Sequence, residues 1–87
     1  MSNLKKMEWD KRVWSALCAS ITPMPTIVRK RALSTIIKTS EEVAKRRSSE
    51  LVEADDLFKA VYQKVPKPMR KMCLELLDEQ GINEKTR

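Results

Sequence analysis

Two pairs of prolines divide this chain and constrain its fold more than any other feature. Pro23 and Pro25 form one pair, and Pro66 and Pro68 form the other. The residue before a proline avoids the α region, so a helix that reaches either pair ends there. The single glycine, Gly81, lies near the C-terminus. The chain is therefore expected to form helical segments joined by short connections rather than a turn-rich β fold.

Hydrophobic spacing predicts where these helices lie. Apolar residues recur at intervals of three and four in four segments, which is the spacing of an amphipathic helix. The predicted helices cover about residues 7–21, 26–46, 54–65 and 68–80. The fold class is thus all-α, with a single small four-helix domain and one long central helix.

The expected domain spans residues 7–81, with an N-terminal tail at 1–6 and a C-terminal tail at 82–87. Asp10 and Thr26 are suitable N-caps for the first two helices, and Gly81 suits the C-cap of the last. Leu51 and Val52 form a short apolar pair that is expected to lie in a connection.

Charge is unevenly distributed along the 87 residues. Residues 1–47 contain 11 Lys and Arg against 4 Asp and Glu, whereas residues 48–87 contain 7 against 8. A basic half favours a polyanionic or acidic partner. The alternative is a solvated surface whose basic character serves no partner.

Three cations, Arg29, Lys30 and Arg31, lie in the first turn of the predicted long helix. The N-terminus of a helix already carries positive partial charge, so cations are disfavoured there unless an anion is present. A DNA phosphate, a tetrapyrrole carboxylate or an acidic protein would supply that anion. The alternative is that the side chains extend into water, at about 0.3–1 kcal/mol each. The far end of the helix adds further candidate anion- or partner-binding residues, namely Lys45, Arg46 and Arg47.

Large apolar side chains near the helix ends are candidates for a partner-binding face. These are Trp9, Met24, Met69 and Met72. Met24 stands between two prolines and is expected to be the most exposed of the Met and Cys side chains that could contact a cofactor held by a partner. Core packing is the alternative for all of them, because methionine commonly fills gaps between packed helices.

The residues required for common catalytic sites are missing from the sequence. There is no histidine, so the commonest general base and metal ligand is absent. Cys18 and Cys73 alone cannot form a four-ligand zinc site. Asp55 and Asp56 are adjacent, so on a helix they point in different directions. A non-enzyme without catalytic residues, metal or cofactor of its own is expected.

The residues also predict a location. Met1–Glu8 is polar and no signal-type apolar region follows, and no segment approaches membrane-spanning length. A cytoplasmic protein with two reduced thiols and no membrane association is expected.

One set of residues resembles the small C-terminal domain of the light-independent protochlorophyllide reductase B subunit. The matching pieces, within residues 9–61, are Trp9, Leu17, Pro25-Thr26-Ile27-Val28-Arg29, Glu42-Val43-Ala44, Leu51-Val52-Glu53 and Ala60. The glycine that usually follows the long helix in that family is absent here. The resemblance implies an accessory, partner-binding module that acts beside an anaerobic redox or tetrapyrrole enzyme. It does not imply the reductase activity, because the catalytic subunit is absent.

A second segment, residues 44–60, resembles the second loop and third helix of the histone fold. The spacing of Val52, Asp56, Leu57 and Ala60 carries this resemblance. It implies a short, a long and a short helix, an obligate dimer, and basic loops that bind DNA phosphates. The favoured function is the non-catalytic partner-binding module, with an iron–sulfur or tetrapyrrole enzyme as partner. A small basic nucleic-acid-binding protein that acts as a homodimer is the alternative.

Overall fold

A computed structural model describes residues 5–82 of the chain. In chain order the elements are β1 (Glu8–Trp9), α1 (Lys11–Ile21), α2 (Thr26–Arg46), β2 (Leu51–Val52), α3 (Ala54–Lys64) and α4 (Lys67–Glu79). The predicted all-α class with four helices and a long second helix is confirmed. Within residues 5–82, no helix is both long enough and apolar enough to cross a bilayer.

The long helix α2 has the predicted bounds, but its N-cap differs from the prediction. Thr26 is the first helical residue, and Pro25 occupies the N-cap position without a side-chain hydrogen bond to the helix. Asp10 does cap α1, since its carboxylate accepts from the backbone N–H groups of Arg12 at 2.9 Å and Val13 at 3.3 Å. At α3, the Asp56 carboxylate accepts from the N–H of Glu53, the N-cap residue, at 2.9 Å.

The first predicted helix begins too early. Residues 8 and 9 instead form β1, which pairs in parallel with β2 through the partners Glu8–Leu51 and Trp9–Val52. The N–H of Asp10 extends the pairing with a 3.0 Å bond to the Val52 carbonyl. The pair that the sequence placed in a connection is therefore the partner strand, and α1 starts only after the strand ends.

The core lies where α2 packs against α3 and α1 packs against α4. Its fully buried large side chains include Leu17, Ile36, Ile37, Leu57 and Leu77. Truncating such a leucine to alanine typically costs about 2–5 kcal/mol, because the cavity it leaves does not fully collapse.

Two helices end in the same Schellman arrangement. At α4, Ile82 donates to the Leu77 carbonyl and Gly81 donates to the Asp78 carbonyl, both at 2.9 Å. Gly81 has φ +89°, as a residue at this position usually requires. At α2 the equivalent residue is Ser48, with φ +62°. A serine thus holds a left-handed conformation that glycine adopts without strain.

The described residues of the predicted tails contact the domain. The side chain of Ile82 is buried. The N–H of Lys6 donates to a Glu41 carboxylate oxygen at 2.9 Å, and the Lys5 ammonium lies 4.5 Å from the centre of the Trp14 ring. The packed unit therefore includes residues 5, 6 and 82, which the sequence had placed in the tails. The remainder of both predicted tails, 1–4 and 83–87, lies outside the described residues.

Candidate functional site

The six predicted anion-binding cations do not form one site. Residues 29–31 lie at the start of α2 and residues 45–47 at its end. A rise of 1.5 Å per residue places the two groups about 24 Å apart along the helix axis. A ligand much shorter than this separation contacts one group or the other.

At the start of α2, the three cations behave differently. The guanidinium of Arg29 turns back onto the protein, where it donates to the Thr22 carbonyl and the Thr26 hydroxyl, each at 3.3 Å. Lys30 and Arg31 are exposed. The geometry therefore leaves two cations of this group facing solvent, while Arg29 connects the loop to the helix.

At the end of α2, Arg47 forms an ion pair within the protein. Its Nε and Nη2 donate to the two carboxylate oxygens of Asp56 at 2.8 and 2.7 Å, and Nη2 also contacts Glu53 at 3.1 Å. These bonds, first of all those to Asp56, raise the pKa of Arg47 above its ordinary value. Nε and Nη2 of Arg47 thus join the end of α2 to the start of α3, and binding of an external anion by Arg47 stays a prediction.

Asp56 is the buried partner of this ion pair. Burial alone would raise its pKa, but hydrogen bonds from Arg47 and from the backbone of Glu53 outweigh burial, so the pKa lies below the usual 3.8. A carboxylate buried next to a cation is favoured in its charged form. In the sequence, Asp56 stood out only as the neighbour of Asp55 and as part of the histone-type spacing. Its position three residues after the N-cap residue Glu53 is the signal that points to the capping role.

Trp9 is buried, with 5% of its surface exposed. Its indole Nε1 donates to Glu41 Oε2 at 3.0 Å, and its ring meets Trp14 edge to face at 5.2 Å. The same Glu41 oxygen accepts from the N–H groups of Lys6 and Met7 at 2.9 and 3.1 Å. Trp9 is therefore a core residue, and its prediction as part of an exposed partner face is wrong.

Glu41 is a structural residue that the sequence reasoning missed. Its spacing from two core residues, Ile37 and Ala44, places it on the buried face of the same helix. That spacing is the sequence signal that Glu41 is buried. The indole N–H of Trp9 then supplies a hydrogen-bond donor to its carboxylate.

An apolar groove of about 380 Å³ opens between the first half of α2 and the turn that joins α3 to α4. Its apolar lining residues are Met24, Ile27, Val28, Ala32, Ile36, Val65, Pro66 and Met69, and its polar ones are Arg31, Thr35 and Lys64. The cleft that these residues line is called the groove below. Its volume lies in the range of ordinary ligand-binding clefts.

The floor and the rim of the groove differ in exposure. Ile36 and Met24 are buried at its floor, with 1% and 5% exposed. Ile27 and Val28 lie at its rim, with 79% and 41% exposed. A buried apolar floor beside exposed aliphatic side chains is the arrangement of a surface that can bury more area against a partner.

The wall that faces α2 is held in place by Arg70. Its Nη2 donates to the carbonyls of Tyr62 at 3.1 Å and Val65 at 3.3 Å, which lie at the end of α3. Its guanidinium also stacks 5.2 Å from the centre of the Tyr62 ring. These contacts fix the turn at Pro66 relative to α3, so the groove has one wall on α2 and one on a braced turn.

The predicted methionines fall into three environments. Met24 was expected to be the most exposed, but it is buried at the groove floor. Met69 is half-buried and lines the groove, whereas Met72 is 39% exposed and lies outside the groove lining. The prediction of an exposed face is wrong for Met24. For Met69 and Met72 the role in partner binding stays a prediction.

A second depression, of about 470 Å³, runs along the outer face of α4 between Lys67 and Asp78. All its lining residues belong to that one helix, and most of them are charged. A single helix face cannot enclose a ligand, so the groove is the better candidate.

The two cysteines are free thiols at different depths. Cys73 is fully buried and Cys18 half-buried. Burial raises the pKa of both thiols, and only part of the rise is offset, by Lys5 at Cys18 and by the Ser20 hydroxyl at Cys73. Among residues 5–82 no three His, Cys, Asp or Glu side chains are grouped as metal ligands would be.

Comparison with known proteins finds no relative of this chain. No protein-family model, no curated protein and no solved structure matches the chain.

Proposed function

We propose that this chain is a non-catalytic helical module that binds a protein partner through the groove. The observation that carries the proposal is the pair of exposed aliphatic residues, Ile27 and Val28, at the rim of an apolar cleft whose floor is already buried. A helix or loop of a partner that covered the rim would bury this apolar area, which is favourable by about 25 cal/mol per Å².

The resemblance to the protochlorophyllide reductase domain supplies the proposed class of partner. Several residues that carry it, Trp9, Leu17, Ala44, Val52 and Ala60, are buried together in one core. Part of the resemblance is therefore carried by packing residues, which supports a shared architecture. On that basis, the module acts beside an anaerobic redox or tetrapyrrole enzyme.

The experiment is capture of partners from the native host, with quantitative mass spectrometry and an absorbance spectrum of the retained material. The wild type is compared with the Ile27→Ser/Val28→Ser variant. Leu51→Ser is the matched control, because Leu51 is also an exposed aliphatic residue but lies on β2. A coloured or iron–sulfur protein that is retained by the wild type and the control, and lost from the double variant, supports the proposal. Equal retention by all three proteins rejects it.

A small nucleic-acid-binding protein is the second candidate. Two observations favour it: the succession of a short, a long and a short helix in α1, α2 and α3, and the exposed cations Lys45 and Arg46 at the far end of the long helix. Binding through phosphates makes affinity fall steeply with salt, and removing one phosphate contact lowers the slope. Lys45→Gln/Arg46→Gln should then weaken DNA binding while the groove variant leaves it unchanged. Sedimentation of the free chain tests the dimer that this alternative requires.

A further inference from the structure

Charge around the groove identifies the chemistry of its occupant. Between Asp10 and Glu41 the chain has no Asp or Glu and six Lys and Arg, and between Asp56 and Glu75 it has none and five. Both walls of the groove come from these two acid-free segments. The ionisable side chains in the lining are Arg31 and Lys64, both exposed and both cationic.

These cations lie on opposite walls, Arg31 on α2 and Lys64 at the end of α3. They thus flank an apolar cleft from two sides. A partner that buried its apolar face in the cleft would bring its own flanking side chains next to both cations. Opposite charges in those flanking positions favour the complex and speed association, whereas like charges oppose it.

We infer that the groove receives an acidic amphipathic helix of a partner protein, with its apolar face on Ile27, Val28 and the floor and its carboxylates beside Arg31 and Lys64. This inference rests on the proposed function and specifies its partner. A helix placed in a groove presents apolar side chains at intervals of three and four, which leaves positions on both flanks for carboxylates. A second copy of this chain fits poorly, because it would set the same cations against each other.

The shape of the site also distinguishes a helix from a flat anionic surface. The floor residues Met24 and Ile36 are buried below the rim. A membrane surface would reach the rim but not the floor, whereas a side chain of a docked helix enters the cleft. The inference therefore assigns the floor to a partner side chain and the rim cations to its carboxylates.

The test uses three synthetic amphipathic peptides with one identical leucine face and with polar faces of Glu, Gln or Lys. Fluorescence anisotropy gives their affinity for the full chain, and methyl NMR of Ile27 and Val28 reports whether they occupy the groove. The Glu-faced peptide should bind about tenfold more tightly than the Gln-faced one at low salt, and the Lys-faced one most weakly. The difference should shrink as salt rises.

Charge variants supply the matched control. Arg31→Gln/Lys64→Gln should remove most of the preference for the Glu-faced peptide over the Gln-faced peptide. Lys45→Gln/Arg46→Gln removes the same net charge about 21 Å farther along α2, so it should preserve the preference. Far-UV circular dichroism checks that both double variants fold.

Each other outcome overturns the inference in a recognisable way. If the Gln-faced peptide binds at the Ile27 methyls and the Glu-faced one binds no better, the acidic partner is rejected and the binding groove stands. If no peptide shifts these methyls, both the inference and the proposed function fail. Binding to vesicles of anionic lipid without binding to the peptides, or self-association through the groove, replaces the acidic helix with that occupant.

Discussion

The serine at the end of α2 offers a prediction with a known sign. Ser48 has φ +62°, and the equivalent residue at the end of α4 is Gly81 with φ +89°. A left-handed conformation costs a residue with a Cβ about 1–2 kcal/mol. Ser48→Gly removes this strain. The greater conformational freedom of glycine in the unfolded chain reduces the gain in stability by about 0.4–1 kcal/mol. The net result should be a stabilisation of about 0.5–1 kcal/mol.

The assay is urea unfolding followed by far-UV circular dichroism and tryptophan fluorescence, with coincident transitions required. For a domain of this size the melting temperature should rise by about 3–6 °C. Ser48→Ala is the control, because it keeps the Cβ and the strain and should change stability by less than about 0.5 kcal/mol.

Gly81→Ala is the reverse substitution at the equivalent position of α4. It should destabilise the chain by about 0.5–1 kcal/mol, since the left-handed conformation costs alanine about 1–2 kcal/mol and the loss of glycine's freedom in the unfolded chain offsets about 0.4–1 kcal/mol of this. A Cβ there would lie 2.9 Å from Nη2 of Arg12, the end of an exposed and flexible side chain, so the contact itself adds little. If Ser48→Gly is no more stable than Ser48→Ala, strain at this residue does not limit stability and the reasoning is refuted.

Three further predictions test the interior. Glu41→Ala should lower the free energy of unfolding by about 2–4 kcal/mol and shift Trp9 fluorescence to the red, because three N–H donors lose their acceptor. Glu41→Gln should cost about half as much, and urea unfolding measures both variants. The folded pKa of Asp56 lies below 3.8, so its stabilisation is present above that pH and is lost as pH falls through the lower folded value. Asp56→Asn should therefore flatten the stability profile below about pH 3.8, as urea unfolding at a series of pH values would show, and an unchanged acid limb would contradict this. Because burial raises the pKa of both thiols, iodoacetamide at neutral pH should modify Cys18 slowly and the more deeply buried Cys73 more slowly still. Mass spectrometry of the intact protein measures the two rates, and equal rates would contradict the different depths of the thiols.

The helices were predictable because their signals are local. Proline before Thr26 and polar residues after Arg46 bound α2 at the observed positions, and the one glycine marked the end of α4. Strand β1 was not predictable in this way. Two residues show no period, so nothing distinguished Glu8 and Trp9 from the start of the helix that follows.

The candidate site depended on tertiary contacts that periodicity does not encode. Whether Arg47 faces solvent or Asp56 depends on how α3 leaves the loop. Whether Met24 is exposed depends on residues some 40 positions later, because Met24 is buried in the same cluster as Val65, the residue that follows α3. The sequence thus located cations and apolar residues near the start of α2, but the cleft between them appears only after the helices pack.

The parallel pairing of β1 with β2 has a consequence for how the chain folds. Glu8 pairs with Leu51, which lies 43 positions later, so the strand has no partner until most of the domain has been synthesised. Closing so long a loop carries an entropic penalty that the short helices do not face. During synthesis at the ribosome, the Trp9 side chain should therefore stay exposed to solvent until β2 has formed. Its packing against β2 and its hydrogen bond to Glu41 should be among the last contacts to form.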